Sequence, residues 1–275
     1  MNKTNTILIH WSREQKIFKK NLLLLKKKPG KTEAIHELRV AIKKLTAYLH
    51  LYALLQKETD SLSGKDEHLL TKTTELFEIT GRQRDVEICI ELTGELIKED
   101  DFSYSNIRRF LKAILKVTST WSADAVHHYR NKELPKIKSL LKQDSQLDNA
   151  EIVNEKIESN VNKQLAGLPS FYRKPHLLRI NLKSVYYAIN LLQDKEKYQP
   201  VILDRILEDL GSWQDLEVFS GRCKHFRKDY LPKPFDENEI LKELQSVVDL
   251  KKQVLMKNVR IQLKAWLKNV ALPVK

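Results

Sequence analysis

The sequence predicts an all-α fold, and three observations carry that reading. Glycine and proline number only 7 and 8 among 275 residues, so little interrupts long helices. Between those breakers, apolar residues recur at the three- and four-residue spacing of an amphipathic helix. No segment alternates with the period of two that a half-buried strand requires.

The elements follow in order. A first helix covers residues 5–27 and stops at Pro29-Gly30. A second covers 32–56, with Thr32 as its N-cap. DSLSG at 60–64 is a loop. A third helix approaches Gly81, and another follows it to about residue 98. EDDFSYS is a polar break. Residues 106–142 read as one long helix with Pro135 as a kink. QDSQLDN is the next loop. Helices then cover 150–167 and 172–192, the latter with Pro175 in its first turn. Two more flank Gly211, LPKPFDEN at 231–238 breaks the chain, and a final helix ends near Lys268.

Composition narrows the partner. Hydrophobic residues make up 41% and charged residues 31%, the balance of a soluble globular chain. Lys and Arg outnumber Asp and Glu by 49 to 36, a net charge of +13. A chain this basic repels itself until an anion neutralises it, which points to polyphosphate, nucleic acid or an anionic membrane surface. Cys89 and Cys223 lie far apart without CxxC spacing, which argues against a zinc site or disulfide framework and for a reduced, cytoplasmic chain. The N-terminal apolar run is too short for a signal peptide. The leucines at 22–25 are followed at once by Lys26, Lys27 and Lys28, well short of the about 20 apolar residues that insert across a bilayer.

The chain also repeats itself. At an offset of 140, HELRVAIKKLTAYLHLY lies over HLLRINLKSVYYAINLL: His36, Leu38, Arg39, Lys43 and Leu51 meet His176, Leu178, Arg179, Lys183 and Leu191. At an offset of 130, GRQRDVEI lies over GSWQDLEV, so that Gly81, Asp85 and Glu87 meet Gly211, Asp215 and Glu217. The ten-residue change falls between the motifs, where DSLSGKDE lengthens the first loop. Two motifs repeated in one order predict two related helical bundles, 1–145 and 146–275, within one domain of 1–275.

Helical geometry gives the repeated motif two faces. At about 100° per residue, Leu38, Ile42, Leu45 and Leu49 share one side, and His36, Arg39 and Lys43 share the other. The second copy sets His176, Arg179 and Lys183 opposite Leu178, Leu182, Val185 and Ile189. No acid shares the cationic stripe, whereas a solvated helix face normally mixes both signs. Arginine offers a planar fork for phosphate oxygens, lysine a mobile point charge, and histidine a third donor once a polyanion raises its proton affinity. Asp85 and Asp215 are expected to hold basic side chains or to cap a helix start rather than to act in catalysis.

Together these segments resemble the two signatures of the CHAD domain, the conserved-histidine α-helical domain, each present twice and in order over nearly the whole chain. The resemblance implies two four-helix bundles related by a pseudo-two-fold axis, with a basic groove or pore between them, in the stand-alone form of the family. It also implies binding of inorganic polyphosphate, without catalysis or cofactor, by a cytoplasmic protein for which polyphosphate granule association is one open role. Carried over residue by residue, the ligand-facing set is His36, Arg39, Lys43, Lys44, Arg82 and Arg84, then His176, Arg179 and Lys183. Lys44 lies about 100° off the stripe and reaches an anion only from its edge. Ser184 stands at the counterpart of Lys44, and Trp213 and Gln214 at those of Gln83 and Arg84, so the second half has the thinner basic lining.

Arg173 and Lys174 adjoin the second motif and join the polyphosphate-binding set. Arg109, Lys112 and Lys116 share a helix face, and His127, His128 and Arg130 follow them, all equally suited to a solvated surface. The four tryptophans read as core anchors. A nucleic-acid binder is the first alternative, although no helix-turn-helix, zinc or RNA-binding signature accompanies the charge. A metal-dependent phosphohydrolase is the second, and it lacks the clustered carboxylates and histidines of a two-metal site.

Overall fold

A computed structural model of the chain describes residues 5–57, 69–97, 104–231 and 236–270. Among these residues there are nine α-helices and no strand. In order they are α1 (Thr6–Lys27), α2 (Thr32–Lys57), α3 (Thr71–Leu96), α4 (Ser105–His128), α5 (Glu133–Gln143), α6 (Ala150–Gly167), α7 (Pro175–Ile189), α8 (Pro200–Asp229) and α9 (Asp236–Val270). The DSLSG loop and parts of the EDDFSYS and LPKPFDEN breaks lie outside the described residues.

Four local expectations change. Thr32 is the first helical residue rather than the cap: the Lys31 carbonyl accepts the first helical bond, from Ile35, and the Thr32 hydroxyl donates to Glu87. Gly81 and Gly211 break nothing, because α3 and α8 run straight through them. The long helix expected at 106–142 divides at 129–132, and Pro135 falls in the first turn of α5. Proline has no N–H to donate and clashes with the preceding turn, so a helix restarting just before it avoids both costs. Trp121 is half exposed rather than a core anchor, while Trp11 and Trp266 are fully buried.

Helix starts are secured from a distance. Glu133, at the head of α5, accepts from the backbone N–H of Lys72 and Thr73 and from the Thr73 hydroxyl, and so caps α3. Buried Glu237 of α9 does the same for α4, accepting from the Ile107 N–H and the Asn106 amide. A carboxylate at a helix N-terminus satisfies orphan donors and meets the positive end of the helix dipole.

The apolar stripes read from the sequence are the buried ones. Leu38, Ile42, Leu45 and Leu49 are buried on α2, and Leu178, Leu182, Val185 and Ile189 on α7. The core forms two clusters. One joins Trp11, Leu38 and Leu76 to Leu178, Leu210 and Trp266. The other joins Val86, Cys89 and Leu111 to Leu216, Cys223 and Leu241. Each draws on both sides of residue 145. The long helices α3, α4, α8 and α9 pass from one cluster into the other. On α3 the crossing lies between Leu76 and Val86, and on α8 between Leu210 and Leu216. Those are the stretches that carry Gly81, Asp85, Gly211 and Asp215.

Candidate anion site

The repeated motifs meet at this seam. α2 packs on α3 and α7, and α8 packs on α3 and α7, so both copies of both motifs face one another. Arg39 and Lys43 come from α2, Asp85 from α3, Arg179 and Lys183 from α7, and Asp215 from α8; all six are partly buried.

Their charges act across the two halves. Burial, then Lys183, Arg39 and Arg179, push the Lys43 ammonium down to about 7, against the pull of Asp215. Burial and Arg179 push Lys183 down to about 8, again against Asp215. Burial also lowers the guanidinium values of Arg39 and Arg179, each opposed by the aspartate of its own half. Asp85 and Asp215 are raised, because desolvation outweighs the cations around them. Too many like charges thus share a half-dry seam with too little counter-charge. Protonated lysine is costly there.

Local structure explains each position. A Cβ on Gly81 would stand 2.5 Å from a terminal nitrogen of Arg39 and 3.1 Å from its guanidinium carbon. Glycine at 81 is therefore the groove through which Arg39 crosses α3. That guanidinium donates to the Phe77 carbonyl and lies 4.0 Å over the Phe77 ring. Gly211 sits against Arg179 in the same way but more loosely, with 3.8 Å from its missing Cβ to the nearest atom. At the repeat offset Phe77 corresponds to Leu207, which offers no ring. Arg179 Nε is left buried without a hydrogen-bond partner.

The structure brings together Arg39, Lys43, Arg179 and Lys183 of the expected set. His36 and His176 are exposed at the entry ends of α2 and α7, and His176 Nδ1 donates to Gln214 over 3.0 Å. Arg84 is within electrostatic reach of Asp85 and Asp215, but its donors are engaged by Glu87 and Glu91 on its own helix. Lys44 turns the other way and pairs with buried Glu14 of α1 at 3.1 Å. Arg82 is exposed and lies 6.0 Å from the Trp121 ring on α4. Arg173 and Lys174 are exposed in the turn before α7. Arg109, Lys112 and Lys116 are exposed on α4, and His127, His128 and Arg130 are exposed at and just past its end, His128 being paired with Asp124.

Sequence reasoning missed two groups. Arg222 of α8 acts on Asp85 from the opposite half, and it lies seven residues after Asp215, two turns along the same face. Lys252 of α9 is held by Glu217 and Asp249 and stands 5.8 Å from the Trp213 ring, which accounts for Trp213 in the second motif. Asp85 and Asp215 lie mid-helix, so the capping expectation fails and the counter-ion expectation fits. Among the described residues no three His, Cys, Asp or Glu side chains group as metal ligands, and no helix is long and apolar enough to cross a membrane.

Comparison with known proteins agrees with the all-α fold. No curated protein matches the chain. The crystal structure of the CHAD domain from the plant Ricinus communis is similar in fold, with a TM-score of 0.70 at 16% identity, over 94% of this chain and 91% of that one. The family model of the CHAD domain matches residues 18–224, which include both copies of both motifs. The chain belongs to the CHAD domain family.

Proposed function

We infer that the protein binds inorganic polyphosphate, without catalysis, in a basic cleft where two pseudo-two-fold-related four-helix bundles face each other. The observation that carries this reading is the seam of Arg39, Lys43, Arg179 and Lys183, cations from both halves with Asp85 and Asp215 as counter-charge among the described residues. A linear polyanion supplies what that seam lacks: repeated negative charge along its length, with oxygens for the arginine forks. Arg179 Nε is a buried donor left over for such an oxygen. The exposed His36, His176, Arg173 and Lys174 extend positive or protonatable groups outward from the seam. Family membership is in keeping with this reading. A soluble, cytoplasmic protein, free or at polyphosphate granules, is the setting it implies.

Nucleic acid shares the phosphate chemistry, and salt dependence alone does not separate the two ligands. Calorimetric titration with long-chain polyphosphate, with DNA, RNA and short phosphates as competitors, does. Polyphosphate displacing DNA at much lower phosphate concentration supports the reading; DNA binding more tightly overturns it. Phosphate release with added Mg²⁺ or Mn²⁺ would contradict the absence of catalysis.

A further inference from the structure

The last helix, α9, is apolar on two opposite faces. Leu241, Leu244, Val248, Val259, Leu263 and Trp266 are buried against the rest of the chain. Half a turn away around the helix stand Val247, Leu250, Val254 and Ile261, which are 48%, 62%, 51% and 58% exposed. Their spacing of three, four and seven residues is that of a coiled-coil seam, and among the described residues no helix covers it. The charges of α9 are sorted along its length. Residues 236–249 hold five acids and one lysine; residues 250–270 hold six bases and no acid. Some are occupied: Glu237 as a cap, Lys252 with Glu217 and Asp249, and Glu239 with Lys242 one turn away. Glu239 and Glu243 are exposed at one end, and Lys257, Arg260, Lys264 and Lys268 at the other. The family model ends at residue 224, before α9 begins.

We propose that this outer face of α9 pairs antiparallel with α9 of a second copy of the chain, about a two-fold axis near Leu250 and Val254. A second copy is the occupant that the charge pattern selects. Antiparallel pairing lays the acidic end of each helix along the basic end of the other, with Lys264 beside Glu239 and Lys257 about one turn from Glu243. Parallel pairing would lay six bases along six bases. Leu250 of each copy then closes on Val254 of the other, and Val247 and Ile261 pack against the stems of Lys257 and Glu243. Four residues make a small interface compared with the about 800 Å² per partner of a standard complex. The dimer is therefore concentration-dependent, and the net charge of +13 on each copy opposes it further.

Sedimentation analysis over about 1 to 300 µM tests this. The 32.2 kDa chain is expected to shift toward twice that mass as concentration rises. Leu250→Glu with Val254→Glu should hold it at the single-chain mass, with helical circular dichroism unchanged because both residues are exposed. Lys257→Glu with Lys264→Glu should weaken association about tenfold, and adding Glu239→Lys and Glu243→Lys should restore it. A single-chain mass at every concentration, a dimer that survives the Leu250/Val254 substitutions, or a charge reversal that is not rescued overturns the proposal.

Discussion

The two halves build the same site with different economy. In the first, Arg39 is locked: Gly81 gives it a groove, and the carbonyl and ring of Phe77 hold its guanidinium. In the second, Arg179 has looser room beside Gly211, a leucine where the ring would be, and a buried Nε with no partner. The first half uses donors to fix geometry; the second leaves a buried donor unengaged. On the proposed reading, the thinner lining of the second half, with Gln214 in place of Arg84, need not bind an anion less tightly. Arg84 has more charge than Gln214, but Glu87 and Glu91 take up its donors.

The largest expected effect comes from breaking both halves at once. A charge-assisted hydrogen bond is worth about 1.5–3 kcal/mol. Arg39→Ala with Arg179→Ala should therefore weaken polyphosphate binding by at least about 100-fold, read by calorimetry. Of the single variants, Arg179→Lys should lose more affinity than Arg39→Lys, since Arg179 keeps a buried Nε with no partner whereas the Arg39 guanidinium is held by Phe77.

The next effect is a pH dependence with two opposite signs. Lys43 at about 7 and Lys183 at about 8 regain protons as pH falls through those values. Polyphosphate binding should tighten from about pH 9 to pH 6.5, by up to about tenfold per unit for each proton taken up. Without ligand the sign reverses. Unfolding returns both lysines to their ordinary value near 10.5, so between pH 7 and 8.5 the unfolded chain holds more protons than the native one. The ligand-free midpoint temperature should rise with pH over that window. Above it, release of protons from the unfolded chain's Cys89 and Cys223, both raised to about 12 in the native state, opposes the rise.

A smaller pair of substitutions separates the two glycines. Alanine favours a helix interior over glycine by up to about 1 kcal/mol. Gly211→Ala should gain about that much in urea unfolding and leave binding within twofold, since its Cβ meets Arg179 at ordinary contact distance. Gly81→Ala should show no such gain and should weaken binding, because Arg39 must move. The smallest effect belongs to a cap remote from the seam. Glu133→Ala should cost about 1–2 kcal/mol of stability and leave affinity unchanged, because it removes acceptors from the start of α3 only.

How much of this was legible follows from which forces are local. The stripes of α2 and α7 are set by helical period, and each expected apolar residue is buried. The same period sets Arg39, Lys43, Arg179 and Lys183 on the opposite side, where they are partly buried, while His36 and His176 stay exposed. The glycines were misread because glycine marks both helix ends and close approaches, and only the path of Arg39 tells which applies. Lys44 was placed at the site's edge, whereas its partner Glu14 lies thirty residues upstream and leaves no mark on the local pattern. Arg222 lies outside the repeat, since its counterpart at the 130-residue offset is Leu92. The two clusters that cross residue 145 were hidden too, because repeat boundaries follow the chain and cores follow packing.

The central claim is that both halves serve one anion site. Calorimetric titration of long-chain polyphosphate into the parent, Arg39→Ala, Arg179→Ala and the double variant tests it most directly. Each single substitution should weaken binding at least tenfold and the double at least 100-fold, with the helical spectrum retained. A double variant that binds as tightly as the parent would contradict the account.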